Sequence, residues 1–202
     1  MTFGESHVEV DGVRLRYLEA GQGAPLVHLQ EAGELRLAAA HDLLCRHARV
    51  LAFAMPSHAP ELASTLVRAS DGLGLDTFNL MATSLGATTA LRLALLAPTR
   101  VRALVLESPT IRSQDRDADL ERRLTEVATP TLVLCGTMDD VAVAAAGRAY
   151  MERMPRCHLV FVYDAAHAIS SERPEAFAEV VGDFLERREA FVISRAATVI
   201  HP

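Results

Sequence analysis

Three side chains of types that cooperate in nucleophilic catalysis stand at the ends of apolar runs in this chain. Ser84 lies in Asn79-Leu80-Met81-Ala82-Thr83-Ser84-Leu85-Gly86-Ala87, where a strand-like stretch turns within two residues into a helix-like one. A serine on so tight a turn is held in strained backbone, and its neighbours two before and two after must be small so that strand and helix can approach. Ala82 and Gly86 meet that demand. Asp139 follows the run Thr131 to Cys135, three residues beyond Gly136, and His167 follows the run His158 to Val162, four residues beyond Tyr163. A serine hydroxyl is a poor nucleophile until a base takes its proton during attack. An imidazole with an ordinary pKa of about 6.5 can take it near neutral pH. A carboxylate would orient that ring and stabilise the imidazolium. Each position has a rival: Ser84 could be a plain helix N-cap, Asp140 or Glu107 could supply the acid, and His158 could be the base, although it begins a strand.

The order Ser, Asp, His, each after an expected strand, is that of the α/β-hydrolase triad rather than the chymotrypsin or subtilisin order. The chain resembles the α/β-hydrolase fold family as a small, nearly lidless member. The similarity extends to the strand pair around Asp11-Gly12 in Val10 to Tyr17, to Pro25-Leu26-Val27-His28, and to Val101 to Leu106, so that it covers Ser6 to Arg188. It implies a serine hydrolase cleaving a carboxylic ester or thioester through an acyl-enzyme on Ser84, with Asp139 and His167 as partners and no metal or organic cofactor. It also implies an oxyanion hole made by the backbone N–H of Leu85 and of Gln30 or Leu29. His28 would shape the loop that follows it, and His28, Glu31, His58 and Met138 are candidates to line the substrate pocket. Three departures stand out. Ala82 replaces a glycine, His28-Leu29-Gln30-Glu31 is bulkier than the usual His-Gly run, and Ala54-Met55-Pro56-Ser57-His58-Ala59 has lost its glycines and their backbone freedom. The alternative they raise is a non-catalytic binding or assembly protein on the same scaffold. A cofactor-free haloperoxidase or perhydrolase would be a third outcome of the same triad.

These residues need a scaffold, and the patterning supplies one. Glu5 to Val10 and Val13 to Glu19 alternate apolar and polar around Asp11-Gly12, the mark of an antiparallel hairpin at a sheet edge. Short apolar strands at Leu26 to Leu29, Val50 to Ala54, Phe78 to Ala82 and Ala103 to Leu106 then alternate with helical patterns at Glu34 to Arg46, Pro60 to Ala69 and Thr88 to Leu96. Helices at Val141 to Met154 and Pro174 to Arg188 complete the set. The expected class is α/β: a mostly parallel central sheet with helices on both faces, an N-terminal antiparallel hairpin and a minimal cap. Residues 1–202 read as one domain, and a chain of this length buries about 70% of its unfolded surface. The cap segment, 107–129, is short; within it Asp115 to Val127 is densely charged, with Leu120, Leu124 and Val127 on one stripe, and reads as a surface helix with one packing face. An open mouth is expected from it, suited to a small ester or to an acyl group on a bulky carrier.

The apolar, β-branched tail at 190–202 would be an aggregation hazard in water. It is expected to dock on its own domain or on a second copy, which would make a homodimer. Half the residues are hydrophobic, yet no apolar run approaches the ~20 residues of a membrane span. Met1 to His7 has neither the basic patch nor the apolar core of a signal peptide, so a cytoplasmic location without membrane partners is expected. Cys45, Cys135 and Cys157 suggest neither a disulfide framework nor a zinc site. A formal charge of -6 without a basic block argues against nucleic acid as a partner.

Overall fold

The computed structural model describes residues 1–30, 35–54, 62–110, 117–191 and, for the backbone alone, 199–200. The hairpin forms as the alternation demands: β1 (Gly4–Val10) pairs antiparallel with β2 (Val13–Ala20), and Asp11 and Gly12 turn between them with φ of 50° and 77°. β3 (Ala24–Gln30), β4 (Ala48–Ala54), β5 (Phe78–Thr83), β6 (Val101–Glu107), β7 (Thr131–Gly136) and β8 (Cys157–Val162) follow, with β9 (Val199–Ile200) at the end. Among the described residues they make one sheet in the order β1-β2-β4-β3-β5-β6-β7-β8-β9. Pairing is parallel from β4 to β8 and antiparallel at both ends.

The central strands are covered on both faces, so they read as continuous apolar runs rather than alternating ones. Their two faces nonetheless sort with period two. Leu80, Leu104 and Leu106 point into one core with α2 (Leu62–Gly72), α3 (Gly86–Leu96) and α5 (Val141–Arg153). Met81, Ala103 and Val105 point into the other, with α1 (Ala39–Leu44) and α7 (Pro174–Arg187), whose Phe177 and Phe184 are completely buried. Two such phenylalanines contribute about 3 kcal/mol each in area bookkeeping. Phe191 packs edge-on against Phe184 with centroids 5.3 Å apart, and Val199 and Ile200 pair with Val162 and Phe161 of β8. The described part of the tail therefore docks on its own sheet.

One expected helix is shorter than its periodicity suggests. Instead of running from Glu34 to Arg46, α1 covers Ala39–Leu44. The cause is tertiary: the Gln30 amide accepts from Arg36 N–H at 2.8 Å and donates to Arg36 C=O at 2.6 Å, which spends that peptide's groups outside any helix. The charged cap segment ends in α4 (Ala118–Arg123) and a 3₁₀ turn at Leu124–Glu126, and Leu120, Leu124 and Val127 are all buried, as the stripe requires. Residues 111–116 of that segment lie outside the described residues. Asp117 caps α4 by accepting from Leu120 N–H at 3.1 Å and also pairs with Arg92 of α3. Asp117→Ala is expected to cost about 1 kcal/mol of stability in denaturant unfolding, from the lost cap. Among the described residues no helix is long and apolar enough to cross a membrane. Cys45 and Cys135 are buried and Cys157 is half-buried, all as free thiols. Burial pushes Cys135 and Cys157 up to about 12, which leaves them without thiolate reactivity.

Candidate active site

The turn between β5 and α3 has the geometry its sequence calls for. Ser84 adopts φ 54°, a left-handed conformation that costs a non-glycine residue of order 1–3 kcal/mol. Its surroundings hold it there. Ser84 N–H donates to Glu107 C=O at 2.9 Å, and Ser84 C=O accepts from Ala87 N–H at 3.2 Å and Thr110 N–H at 3.3 Å. The need for small flanking residues is visible directly: a Cβ on Gly86 would lie 3.0 Å from Leu29 O and 3.5 Å from the Ala82 Cβ. Leu85 is the N-cap of α3 with helical backbone angles, so its N–H belongs to the first turn, where no intrahelical acceptor exists.

Asp139 and His167 come together from two neighbouring loops at the same sheet edge. The loop after β7 is fastened to the loop after β8 by Thr137 N–H to Val162 C=O at 3.0 Å and by Met138 N–H to Ala165 C=O at 2.9 Å. His167 Nδ1 lies 3.0 Å from Asp139 Oδ2 and 3.2 Å from Oδ1. A carboxylate can only accept, so Nδ1 carries a proton, and in the neutral ring Nε2 is the nitrogen with the free lone pair. The Asp139 side chain is 8% exposed and the imidazole 46% exposed. Glu172 steadies this loop from α6 (Ile169–Glu172), accepting from Ala166 N–H at 2.7 Å and from Ala168 N–H at 3.2 Å on either side of the histidine.

The third contact is not made. The Ser84 hydroxyl donates to Thr110 Oγ1 at 3.4 Å, and among the hydrogen bonds of the described residues none joins it to His167. Catalytic hydrogen bonds are often long in unliganded sites and tighten with substrate. The rival residues are engaged elsewhere. Asp140 caps α5 through Ala142 N–H at 2.9 Å, Glu107 is buried against Thr83 and Ser170, and His158 lies edge-on to Phe184 and Phe191.

The pocket candidates divide. Met138 is 69% exposed beside Asp139. His28 is buried instead of lining a pocket: Nδ1 lies 2.8 Å from His41 Nε2, and Nε2 lies 2.9 Å from Thr83 Oγ1. Burial, and then the neighbouring His41, hold it well below the usual histidine range, so it is neutral. Leu29 is fully buried with its carbonyl toward Gly86, and the Gln30 side chain folds back onto Arg36. Glu31 and His58 lie outside the described residues. Sequence reasoning missed Thr83, Thr110, His41 and Glu172. A polar residue closing an otherwise apolar strand, as Thr83 does, was the one available signal.

A family model described as alpha/beta hydrolase fold matches residues 52–123. A stretch of 69 residues is 30% identical to 3-oxoadipate enol-lactonase 1 of Acinetobacter baylyi, covering 34% of this chain and 26% of that protein. The solved enol-lactonase from Burkholderia xenovorans superposes with a TM-score of 0.77 at 20% identity, over 90% of this chain and 100% of the other. A carboxylesterase from Bacillus subtilis does so with a TM-score of 0.74 at 20% identity, over 92% of each. The family match over residues 52–123 and the solved structures agree on the architecture: the chain has the α/β-hydrolase fold.

Proposed function

We propose that the protein hydrolyses a carboxylic ester or thioester through an acyl-enzyme on Ser84. The observation that carries this reading is the Asp139–His167 pair at 3.0 Å, held at the sheet edge where the strained Ser84 turn also lies. The Ser84 hydroxyl turns from Thr110 toward His167 Nε2, and its oxygen attacks the acyl carbon as the imidazole takes the proton. The tetrahedral oxyanion is met by the Leu85 N–H, by that of Gln30 or Leu29, and by the positive end of the α3 dipole. His167 then protonates the departing alkoxide or thiolate. Water, deprotonated by the same ring, releases the acid and restores the serine. The names of the similar proteins, an enol-lactonase and a carboxylesterase, point to ester bonds as well. The 23 residues of the cap segment favour a small ester or a carrier-bound acyl group over an enclosed substrate.

The test is covalent. A fluorophosphonate probe is expected to label the folded protein on Ser84, located by peptide mass spectrometry, and short p-nitrophenyl esters are expected to turn over. A folded sample that takes no label and cleaves none of them rules the reading out. The second reading, a non-catalytic binding or assembly protein, draws on the Ser84 bond to Thr110 and on the folded-back Gln30 side chain, and the same labelling decides between the two.

A further inference from the structure

Beneath the Ser84 turn runs a line of buried polar side chains that the reaction above does not use. His41 Nε2 lies 2.8 Å from His28 Nδ1, His28 Nε2 lies 2.9 Å from Thr83 Oγ1, and Thr83 Oγ1 lies 3.1 Å from Glu107 Oε2. Glu107 Oε1 accepts from Ser170 N–H at 2.7 Å, three residues beyond His167. His28, His41 and Glu107 are each 1% exposed.

The protons along this line have a fixed order. Ala38 N–H reaches His41 Nδ1 at 2.9 Å, and since a backbone N–H can only donate, that nitrogen accepts. The one proton of a neutral His41 therefore sits on Nε2 and points at His28 Nδ1. An independent donor agrees: the Gln30 amide, oriented by its two bonds to Arg36, brings Nε2 to within 3.4 Å of the same His28 nitrogen. His28 then carries its proton on Nε2 and gives it to Thr83, whose hydroxyl passes its own to Glu107. Two donors converge on the Glu107 carboxyl, which is the pattern of an ionised carboxylate. The reverse order begins with a protonated Glu107 and ends with His41 Nδ1–H on Ala38 C=O at 3.2 Å. It needs one more proton and leaves Ala38 N–H without this acceptor.

Glu107 touches both halves of the site. Its backbone carbonyl holds Ser84 N–H, its side chain holds Thr83, and its second oxygen holds the start of α6 behind His167. We propose that Glu107 is a positioning residue: the ionised end of a one-way hydrogen-bond relay from His41, it keeps the Ser84 turn and the His167 loop in mutual register. Burial leaves its carboxyl above the usual carboxylate range although the Ser170 and Thr83 donors and the nearby His167 pull the other way, so its ionised state rests on the donor geometry. The ionisable groups facing the relay are His167 at the Glu107 end and Asp42 beside His41. The kinetic part of the proposal rests on the reading of Ser84 given above; the proton order does not.

The experiment has an arm for each. In protein labelled with ¹⁵N-histidine, long-range ¹H–¹⁵N spectra are expected to show His28 and His41 as neutral Nε2–H tautomers. An Nδ1–H tautomer or an imidazolium at either ring at neutral pH overturns the relay. Glu107→Gln is expected to slow fluorophosphonate labelling of Ser84 between about 10- and about 100-fold, as misplacement of reacting groups does. It should lower kcat more than it changes KM. With a negative charge removed near His167, the acidic limb of the kcat/KM profile should move to lower pH. Thr83→Val should slow labelling comparably and Thr83→Ser should recover most of the loss, a pair that carries the test should Glu107→Gln not fold. Labelling at the wild-type rate in Glu107→Gln, or in Thr83→Val, overturns the positioning role. A wild-type protein inert to both probe and esters sinks the Ser84 reading instead, and the tautomers then decide the relay alone.

Discussion

Replacing Ser84 with alanine is expected to lower ester turnover by about 10⁵- to 10⁶-fold in kcat, with the fluorophosphonate label lost altogether. Members of a catalytic triad act as a unit, so removing the nucleophile leaves only the contribution of substrate binding and oxyanion stabilisation. The fold should be indifferent. The hydroxyl makes one long bond, to Thr110 at 3.4 Å, while the left-handed turn is held by the backbone contacts of Ser84 to Glu107, Ala87 and Thr110. The melting temperature should therefore move by no more than about 2 °C, since the loss of one such bond is worth less than about 1 kcal/mol. Progress curves with p-nitrophenyl acetate on matched wild-type and variant samples measure the ratio. A variant retaining more than a tenth of the wild-type rate would mean that another group carries the chemistry.

Gly136→Ala is expected to remove about 3 kcal/mol of stability, lowering the melting temperature by about 10 °C, and to depress turnover in the fraction that stays folded. The added methyl would collide with the carbonyl oxygens of Ala165 and Ala166 and would stand 2.6 Å from the Ala165 carbonyl carbon. These are backbone atoms, which no rotamer change can move aside. The end of β7 would have to part from the loop that presents His167, and Asp139, three residues on, would be drawn from the ring it now touches at 3.0 Å. Gly182 in α7 is the control, because a methyl there meets nothing within 4 Å. Alanine at that site should be neutral or stabilising by up to about 1 kcal/mol. Equal unfolding curves for the two variants would refute the steric account.

Much of this architecture was legible because the strands that matter are short, buried on both faces and therefore uninterrupted in their apolar character, as in Thr131 to Cys135 and Leu104 to Leu106. The Asp139–His167 contact could be anticipated for a related reason: each residue lies in the loop that follows such a run. Local patterning could not foresee contacts across the fold. The helical period at Glu34 to Arg46 was cut back by a glutamine on a neighbouring strand, and the Ser84 hydroxyl went to Thr110, 26 residues away. Glu107 looked like a rival acid from its place at a strand end. Its burial against Thr83 and Ser170 gives it different partners. His28 and His41, 13 residues apart, carry no periodicity that would announce their contact. Glu31 and His58, in the two loops where the sequence departs most from the family pattern, lie outside the described residues.

The pairing of Val199 and Ile200 with β8 bears on how the protein ages in solution. A β-ladder that ends on an uncovered strand is a seed for intermolecular stacking, because its free peptide groups will accept any extended segment that drifts past. In this protein Val199 and Ile200 occupy part of that rim. Loss of that pairing would uncover it, so slow precipitation of a stored sample need involve no unfolding of the rest of the sheet.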